Sequence, residues 1–312
     1  MTTATVTAIV LNWRTPDYTV DAVHALEADG VPADRVVVVD NASGDGSVDI
    51  IRRKLPEVRL IALDENIGYA RGNNAGAEAR AGDAYLFVNS DAFVHTPGSV
   101  ERLLETLEDA RVGIAVPRLL NEDLSLQPTV VPISSPLPEL IRASGISRLM
   151  PNRLQPRLGT HWDHSSSRRI GAAIGAVILV RGSTWQQLGG FADRRFMYAE
   201  DLDLFSRAAR LGWEARFVAE AEFVHLGGAS SKRRWSDPQR AERVARAEAA
   251  AVRERLGPIR GRLTVWLMAA GVGVRALIHS LRGDRREAEV QTAWFRGYLR
   301  RRADARDGMP ES

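Results

Sequence analysis

Four apolar runs in the first ninety or so residues, each separated from the next by a segment of helical spacing, limit what this chain can fold into. Thr5 to Leu11, Val36 to Val39, Val58 to Leu63 and Ala84 to Asn89 have the length and β-branched content of buried strands. Tyr18 to Ala28, the stretch from Ser47 through Lys54, and Tyr69 to Arg80 have helical spacing, and Pro97 to Leu107 is a further helix with proline in its first turn. Strands joined by single helices need right-handed crossovers, which predicts an α/β fold with a mostly parallel central sheet flanked by helices. Ligands bind such sheets outside the carboxyl ends of the strands. Asn12, Asp40 and Asp91 all fall there.

A length of 312 residues and a hydrophobic fraction of 45% suit one large domain with an appendage. Without cysteine the chain has no disulfide, thiolate metal site or cysteine nucleophile, and a reducing cytoplasm is permitted. Met1 to Asn12 lacks the charged start of a secretory signal. The net charge of +3 is unevenly spread: residues 232–312 carry 19 Lys/Arg against 10 Asp/Glu, so the remaining body is acidic. An acidic body argues against nucleic acid as a partner, and a basic tail points to an anionic one.

Residues 121–168 are rich in Pro, Ser, Arg and Asn, and read as a loop-rich flap over the site. Gly171 to Val180 passes from small residues into a strand. Glu200 to Leu211 is a helix stopped by Gly212, and Trp213 to Val218 is another strand. This divides the chain into a body, 1–231, and a basic helical tail, 232–312. Within the body the divisions fall at 1–120, 121–168, the flap, and 169–231.

Several residues suggest chemistry by type and place. Asp91 at a strand tip can hold a divalent cation beside a diphosphate. Asp40 can accept from a base N–H or a ribose hydroxyl, or cap the turn through Ser43 to Ser47. Arg71 opens a helix, where its guanidinium reaches a base, a diphosphate or a surface carboxylate. Asn73 and Asn74 are poor helix formers, which suggests polar contacts. Glu200, Asp201 and Asp203 crowd into four positions at a helix start. Acids are favoured there as caps, yet like charges close together also raise a carboxyl pKa toward useful basicity.

The order of motifs completes a pattern. Val39-Asp40-Asn41-Ala42-Ser43-Gly44-Asp45-Gly46-Ser47 precedes Asn66-Ile67-Gly68-Tyr69-Ala70-Arg71-Gly72-Asn73-Asn74-Ala75-Gly76, and Asn89-Ser90-Asp91 follows. Gly189-Gly190-Phe191, then Met197-Tyr198-Ala199-Glu200-Asp201-Leu202-Asp203-Leu204, then Val224-His225-Leu226-Gly227-Gly228-Ala229-Ser230 complete it. Over residues 4–231 the chain resembles glycosyltransferase family 2, and is most similar to its bacterial rhamnosyltransferase-like members. The resemblance implies a GT-A fold, a nucleotide-sugar donor, a divalent metal (Mg2+ or Mn2+) and inversion at the anomeric carbon. It implies a nucleotide-sugar-binding half over 1–120, an acceptor half over 169–231 and Asp201 as the base, with Glu200 beside it orienting an acceptor hydroxyl or the helix end. Donor contacts fall to Asn12, Asp40, Arg71, Asn74, Ser90 and Asp91, and metal ligation to Asp91 and His225. Asn89 replaces an acid that metal-dependent members commonly carry. The donor expected is dTDP-L-rhamnose, and the acceptor a hydroxyl of a lipid-linked or polysaccharide glycan of the cell envelope. A UDP-hexose transferase and a catalytically weak nucleotide-sugar-binding member are the alternatives.

Leu263 to Val274 is a run of 12 uncharged residues, interrupted afterwards by Arg275 and His279. As a helix it spans roughly 18 Å against about 30 Å of hydrocarbon, too short to cross. Arg260, Arg262, Arg282, Arg285 and Arg286 flank it, with Trp266 inside, and Val290 to Leu299 forms a second aromatic stretch before Arg300. Apolar faces with basic borders predict helices lying on the inner face of the cell membrane, in a cytoplasmic, peripheral protein. A helical hairpin that forms a homodimer is the rival. Because the motifs end near Ser231, residues 257–312 are expected to be dispensable for catalysis on a small soluble acceptor.

Overall fold

The computed structural model describes residues 5–131, 133–151, 154, 162–193, 199–227 and 236–300. Strands β1 (Val6–Asn12), β2 (Val36–Asp40), β3 (Arg59–Ala62) and β4 (Ala84–Asn89) alternate with helices α1 (Pro16–Ala28), α2 (Ser47–Lys54) and α3 (Tyr69–Ala79). They pair in parallel in the order β3-β2-β1-β4. Side chains alternate across these strands, so Ala8, Val10, Val36, Val38, Leu86 and Val88 join one core, beneath α1 and α2. Ile9, Val37, Val39, Tyr85 and Phe87 join the other. Burial on both faces explains why β2 reads as an unbroken valine run.

β5 (Ala92–Val94), α4 (Ser99–Thr106) and β6 (Val112–Leu120) follow, then β7 (Leu126–Gln127), β8 (Val130–Val131) and α5 (Pro136–Ser144). The remainder of the body contains β9 (Arg168–Ile170), β10 (Ala172–Ala173), β11 (Val177–Arg181), α6 (Gly182–Leu188), α7 (Glu200–Arg210) and β12 (Glu214–His225). β11 inserts antiparallel between β4 and β6, and β12 runs parallel to β6, completing a ten-stranded mixed sheet. The flap thus contains a helix, α5, started by Pro136 in its first turn.

α3 lies unusually close to the sheet. A β-carbon at Gly76 would sit 2.5 Å from Ile9, and one at Gly72 would sit 2.6 Å from Leu11. These two bare positions, one turn apart, bring the start of α3 down onto the strand tips.

The tail folds as α8 (Asp237–Leu281) and α9 (Arg285–Leu299). α8 is broken at Gly257, whose φ of 75° and ψ of −178° are accessible in practice only to glycine; Pro258 starts the second half. The break is sharp enough that a β-carbon on Gly261 would lie 2.8 Å from the Arg253 Cα. The two halves and α9 share a small core of Ala245, Ala249, Val252, Val265, Met268 and Tyr298. By length and composition alone α8 is long and apolar enough to cross a membrane, contrary to the expectation from the shorter run, and a third of its apolar window is buried in the protein. The arginines of 301–302 and residues Met197, Tyr198 and Gly228 to Ser230 of the motifs lie outside the described residues.

Candidate active site

The tips of β1, β2 and β4 are joined by one hydrogen-bond network. The Asn12 side-chain amide donates to Asp40 Oδ2 at 2.6 Å and to Ser43 Oγ at 3.1 Å. Its carbonyl oxygen accepts from the Thr15 backbone and hydroxyl and from Thr19 Oγ1. Thr15 Oγ1 in turn meets Ser90 Oγ at 2.9 Å. Asp40 also accepts from the Ser43 N–H at 3.0 Å and hydroxyl at 2.6 Å. The turn-capping role of Asp40 is therefore realised. Asn12, Asp40, Ser90 and Asp91 are all buried, and their fixed polar groups form the floor at the strand ends.

Asn74 and Arg71 stand apart from that floor. The Asn74 amide pairs both ways with the Phe191 backbone, each bond 2.9 Å, and ties α3 to the turn after α6. Arg71 is exposed in the first turn of α3. Asp203 accepts from Arg207 Nε at 2.6 Å, and the same guanidinium donates to the Leu188 and Gly190 carbonyls, which anchors α7.

Asp91 faces His225 from the end of β12. His225 Nε2 lies 3.4 Å from Asp91 Oδ1. The other ring nitrogen is fixed by Gln127: its Nε2 donates to Asn121 Oδ1 at 2.9 Å and to the His225 carbonyl at 3.0 Å, so its Oε1 must accept from His225 Nδ1 at 2.8 Å. A neutral His225 then turns its Nε2 lone pair toward a carboxylate. Nε2 is buried and has no hydrogen-bond partner among the described residues. Two lone pairs converging in a buried site suit a divalent cation, and a histidine held through its far nitrogen is the usual arrangement of a metal ligand. The donor set, one carboxylate and one imidazole, fits Mn2+ or Mg2+ completed by diphosphate oxygens. Among the described residues no third His, Cys, Asp or Glu joins them.

Asp201 sits in the first turn of α7, after Ala199, whose φ of 68° is left-handed. Its carboxylate accepts from the Gly175 N–H and the Leu202 N–H, both at 2.8 Å. Burial pushes its carboxyl up from the ordinary value, against the lowering effect of those two bonds. Tyr69, wedged edge-on against Phe191, donates to the Gly175 carbonyl at 2.8 Å. Burial, then the charges of Glu200, Asp201 and Asp91, raise the phenol well above its ordinary value. Tyr69 is thus within electrostatic reach of acids from both halves, and joins the base candidate to the metal candidate. It lies inside a quoted motif, yet nothing in its local pattern distinguished it from a core aromatic.

Glu200 and Asp201 open onto a cavity of about 860 Å³. Its opposite wall comes from α5, both halves of α8 and α9, including Arg142, Glu248, Arg275, Trp294 and Tyr298. The tail therefore lines the same cavity as Glu200 and Asp201. Glu248, deeply buried, accepts from the Tyr298 hydroxyl at 2.8 Å, and burial raises its carboxyl to about 7.

Residues 7–169 match the profile of glycosyl transferase family 2. Over 214 residues the chain is 31% identical to the N-acetylglucosaminyl-diphospho-decaprenol L-rhamnosyltransferase of Mycobacterium tuberculosis, a match covering 61% of this chain and 66% of that protein. The chain thus spans just under two thirds of the length of that relative. Among solved structures, the mannosyltransferase PcManGT from Pyrobaculum calidifontis in complex with GDP-Man and Mn2+ superposes with a TM-score of 0.60 at 17% identity, covering 95% of this chain and 86% of that one. S. aureus TarS in complex with UDP-GlcNAc gives a TM-score of 0.51 at 14% identity, over 93% of this chain and 90% of that one. Both likenesses are of fold. With more than half its length matching the family profile on a GT-A fold, the chain belongs to glycosyl transferase family 2.

Proposed function

We propose that the chain transfers a deoxyhexose such as L-rhamnose, with inversion, from its dTDP donor to a hydroxyl of a lipid-linked or polysaccharide acceptor in cell-envelope glycan synthesis. The observation that carries this reading is Asp201 on the cavity wall, with Tyr69 within electrostatic reach of both Asp201 and Asp91. The relative named above, a rhamnosyltransferase whose acceptor name includes diphospho-decaprenol, supports the sugar and the acceptor class.

Asp40, Asn12 and Ser90 offer fixed polar groups to the base and ribose, with Arg71 at the open side for the diphosphate. Asn74 serves the donor side by holding the Phe191 loop. Asp91 and His225 would hold a divalent cation, which supplies positive charge to the departing diphosphate. Asp201 takes the proton from the acceptor hydroxyl as it attacks from the face opposite the diphosphate, and burial makes its carboxylate a better base. Glu200, on the cavity wall beside it, orients that hydroxyl. The exposed apolar face and arginines of the tail hold the protein at the inner face of the membrane, where such an acceptor resides.

Thermal-shift measurements with dTDP, UDP and GDP, each with Mn2+ or Mg2+, test the donor. A nucleotide at a hundred times its dissociation constant adds about 2.7 kcal/mol of stability. Preference for UDP or GDP over dTDP would sink the rhamnose reading.

A further inference from the structure

The cavity beyond Glu200 and Asp201 has an internal order. Asp201 is within electrostatic range of Glu248, Glu248 of Arg142 and Tyr298, and both of these of Arg275. Polar chemistry thus changes from carboxylates at the catalytic end to guanidiniums farther out. Arg142 is already ion-paired with Glu139, although its Nε is buried without a hydrogen-bond partner among the described residues. Arg275 has no carboxylate partner among the described residues; its Nε donates to Gln291 Oε1 at 3.2 Å. Two guanidiniums that repel each other across a partly desolvated space suit an anion between them.

Gly271 lines that space, and a β-carbon there would sit at ordinary contact distance, 3.4 Å from Ala143 on α5 and 3.8 Å from Arg275 Nη1, so α5 and Arg275 close on the same point of α8. Val274 and Ile278, 53% and 40% exposed, line the cavity beside Arg275, and Leu277 and Leu281 on the same helix and Leu137 and Leu140 of α5, which also lines it, are exposed as well. Carboxylates, then guanidiniums, then exposed hydrocarbon is the order of parts in a sugar joined through diphosphate to a lipid.

We propose that this cavity is the acceptor subsite for a prenyl-diphosphate-linked sugar, with Arg275 and Arg142 facing the diphosphate and the exposed apolar residues of α8 and α5 receiving the lipid. The proposal rests on the transferase reading for the sugar end, and its lipid-diphosphate end is tested separately. Calorimetry on the full-length protein, with EDTA to keep diphosphate off any metal site, uses farnesyl diphosphate as probe. It should bind at least tenfold more tightly than farnesol or inorganic diphosphate. Arg275→Gln should weaken it about tenfold, as loss of a charge-assisted bond does, while Arg275→Lys recovers most of the affinity. Val274→Ser, on the exposed rim, should weaken farnesyl diphosphate and leave inorganic diphosphate unchanged; circular-dichroism melting checks that each variant folds. Equal binding of farnesyl diphosphate by wild type and Arg275→Gln would overturn the proposal. So would farnesol or inorganic diphosphate binding as tightly as farnesyl diphosphate. Sugar transfer by a protein that does not bind the probe would remove this subsite and leave the transferase reading standing; probe binding without transfer would do the reverse.

Discussion

Tyr69 and Asp201 hold the same residue from opposite sides: the Tyr69 hydroxyl donates to the Gly175 carbonyl, and the Gly175 N–H donates to the Asp201 carboxylate, both at 2.8 Å. The position of the proposed base is thus tied to a residue of α3. Tyr69→Phe keeps the ring against Phe191 and removes one bond, so stability should fall by about 1 kcal/mol. Turnover should fall on the order of tenfold, because a small displacement of the base costs alignment. Steady-state kinetics beside a melting curve checks this, and unchanged turnover would show that Gly175 needs no second anchor.

Asp201→Asn keeps the shape and loses the basicity. Turnover should drop on the order of 10²–10⁴-fold with nucleotide affinity little changed. In the wild type the acidic limb of the pH–rate profile should lie above the ordinary carboxylate range, since burial raises this group. Near-normal turnover in the Asn variant would end its assignment as the base.

The metal assignment has a distal test in Gln127. Gln127→Leu removes the acceptor that fixes the His225 tautomer, and Mn2+ affinity in the presence of nucleoside diphosphate should fall on the order of 10-fold or more. Asp91→Ala should weaken it further. Calorimetric affinities that ignore both changes, or nucleotide binding that ignores EDTA, would remove the metal role from this pair.

Glu248 gives a pH prediction of definite sign. Its folded-state value, about 7, lies above the ordinary 4.5, so the folded chain keeps a proton that the unfolded chain releases. Its contribution is therefore whole below pH 4.5 and is lost as pH rises through about 7. Relative to wild type, Glu248→Gln should gain up to ~3 kcal/mol across that window in denaturant titrations. A constant difference at all pH values would mean that Glu248 is solvated or ion-paired in solution.

For the tail, sedimentation with vesicles discriminates. The full-length protein should bind anionic vesicles less as salt rises, and Trp266→Ser, at a side chain 62% exposed, should weaken the salt-resistant part. A full-length protein that ignores vesicles but is a dimer by light scattering would favour the hairpin-dimer reading.

The first half of the fold was legible because each buried strand is a short β-branched run that ends in a polar turn. β6 was not, because Pro117 interrupts it and proline argues against an interior strand. Its partner β12 accommodates it by a register shift between Val218, opposite Pro117, and Glu222. α5 was hidden among prolines and serines, and the insertion of β11 between β4 and β6 is a long-range choice that local periodicity does not encode. At the site, Asp91, Asp201 and His225 stood out as charged or titratable residues in motif order. Gln127, Glu248 and Arg275 did not, since an amide 98 residues from its histidine and two charged residues on an amphipathic helix leave no local signal.

The glycine-only backbone at Gly257 makes the second half of α8 a lever. Arg275 lies 17 residues beyond Pro258, an arm of about 26 Å along the helix axis. A swing of only about 10° at that pivot would carry the guanidinium roughly 4–5 Å, which is more than the reach of a hydrogen bond. Any side chain at position 257 would therefore act at a distance, releasing the far wall of the cavity while leaving the strand tips, more than a hundred and fifty residues earlier in the chain, undisturbed.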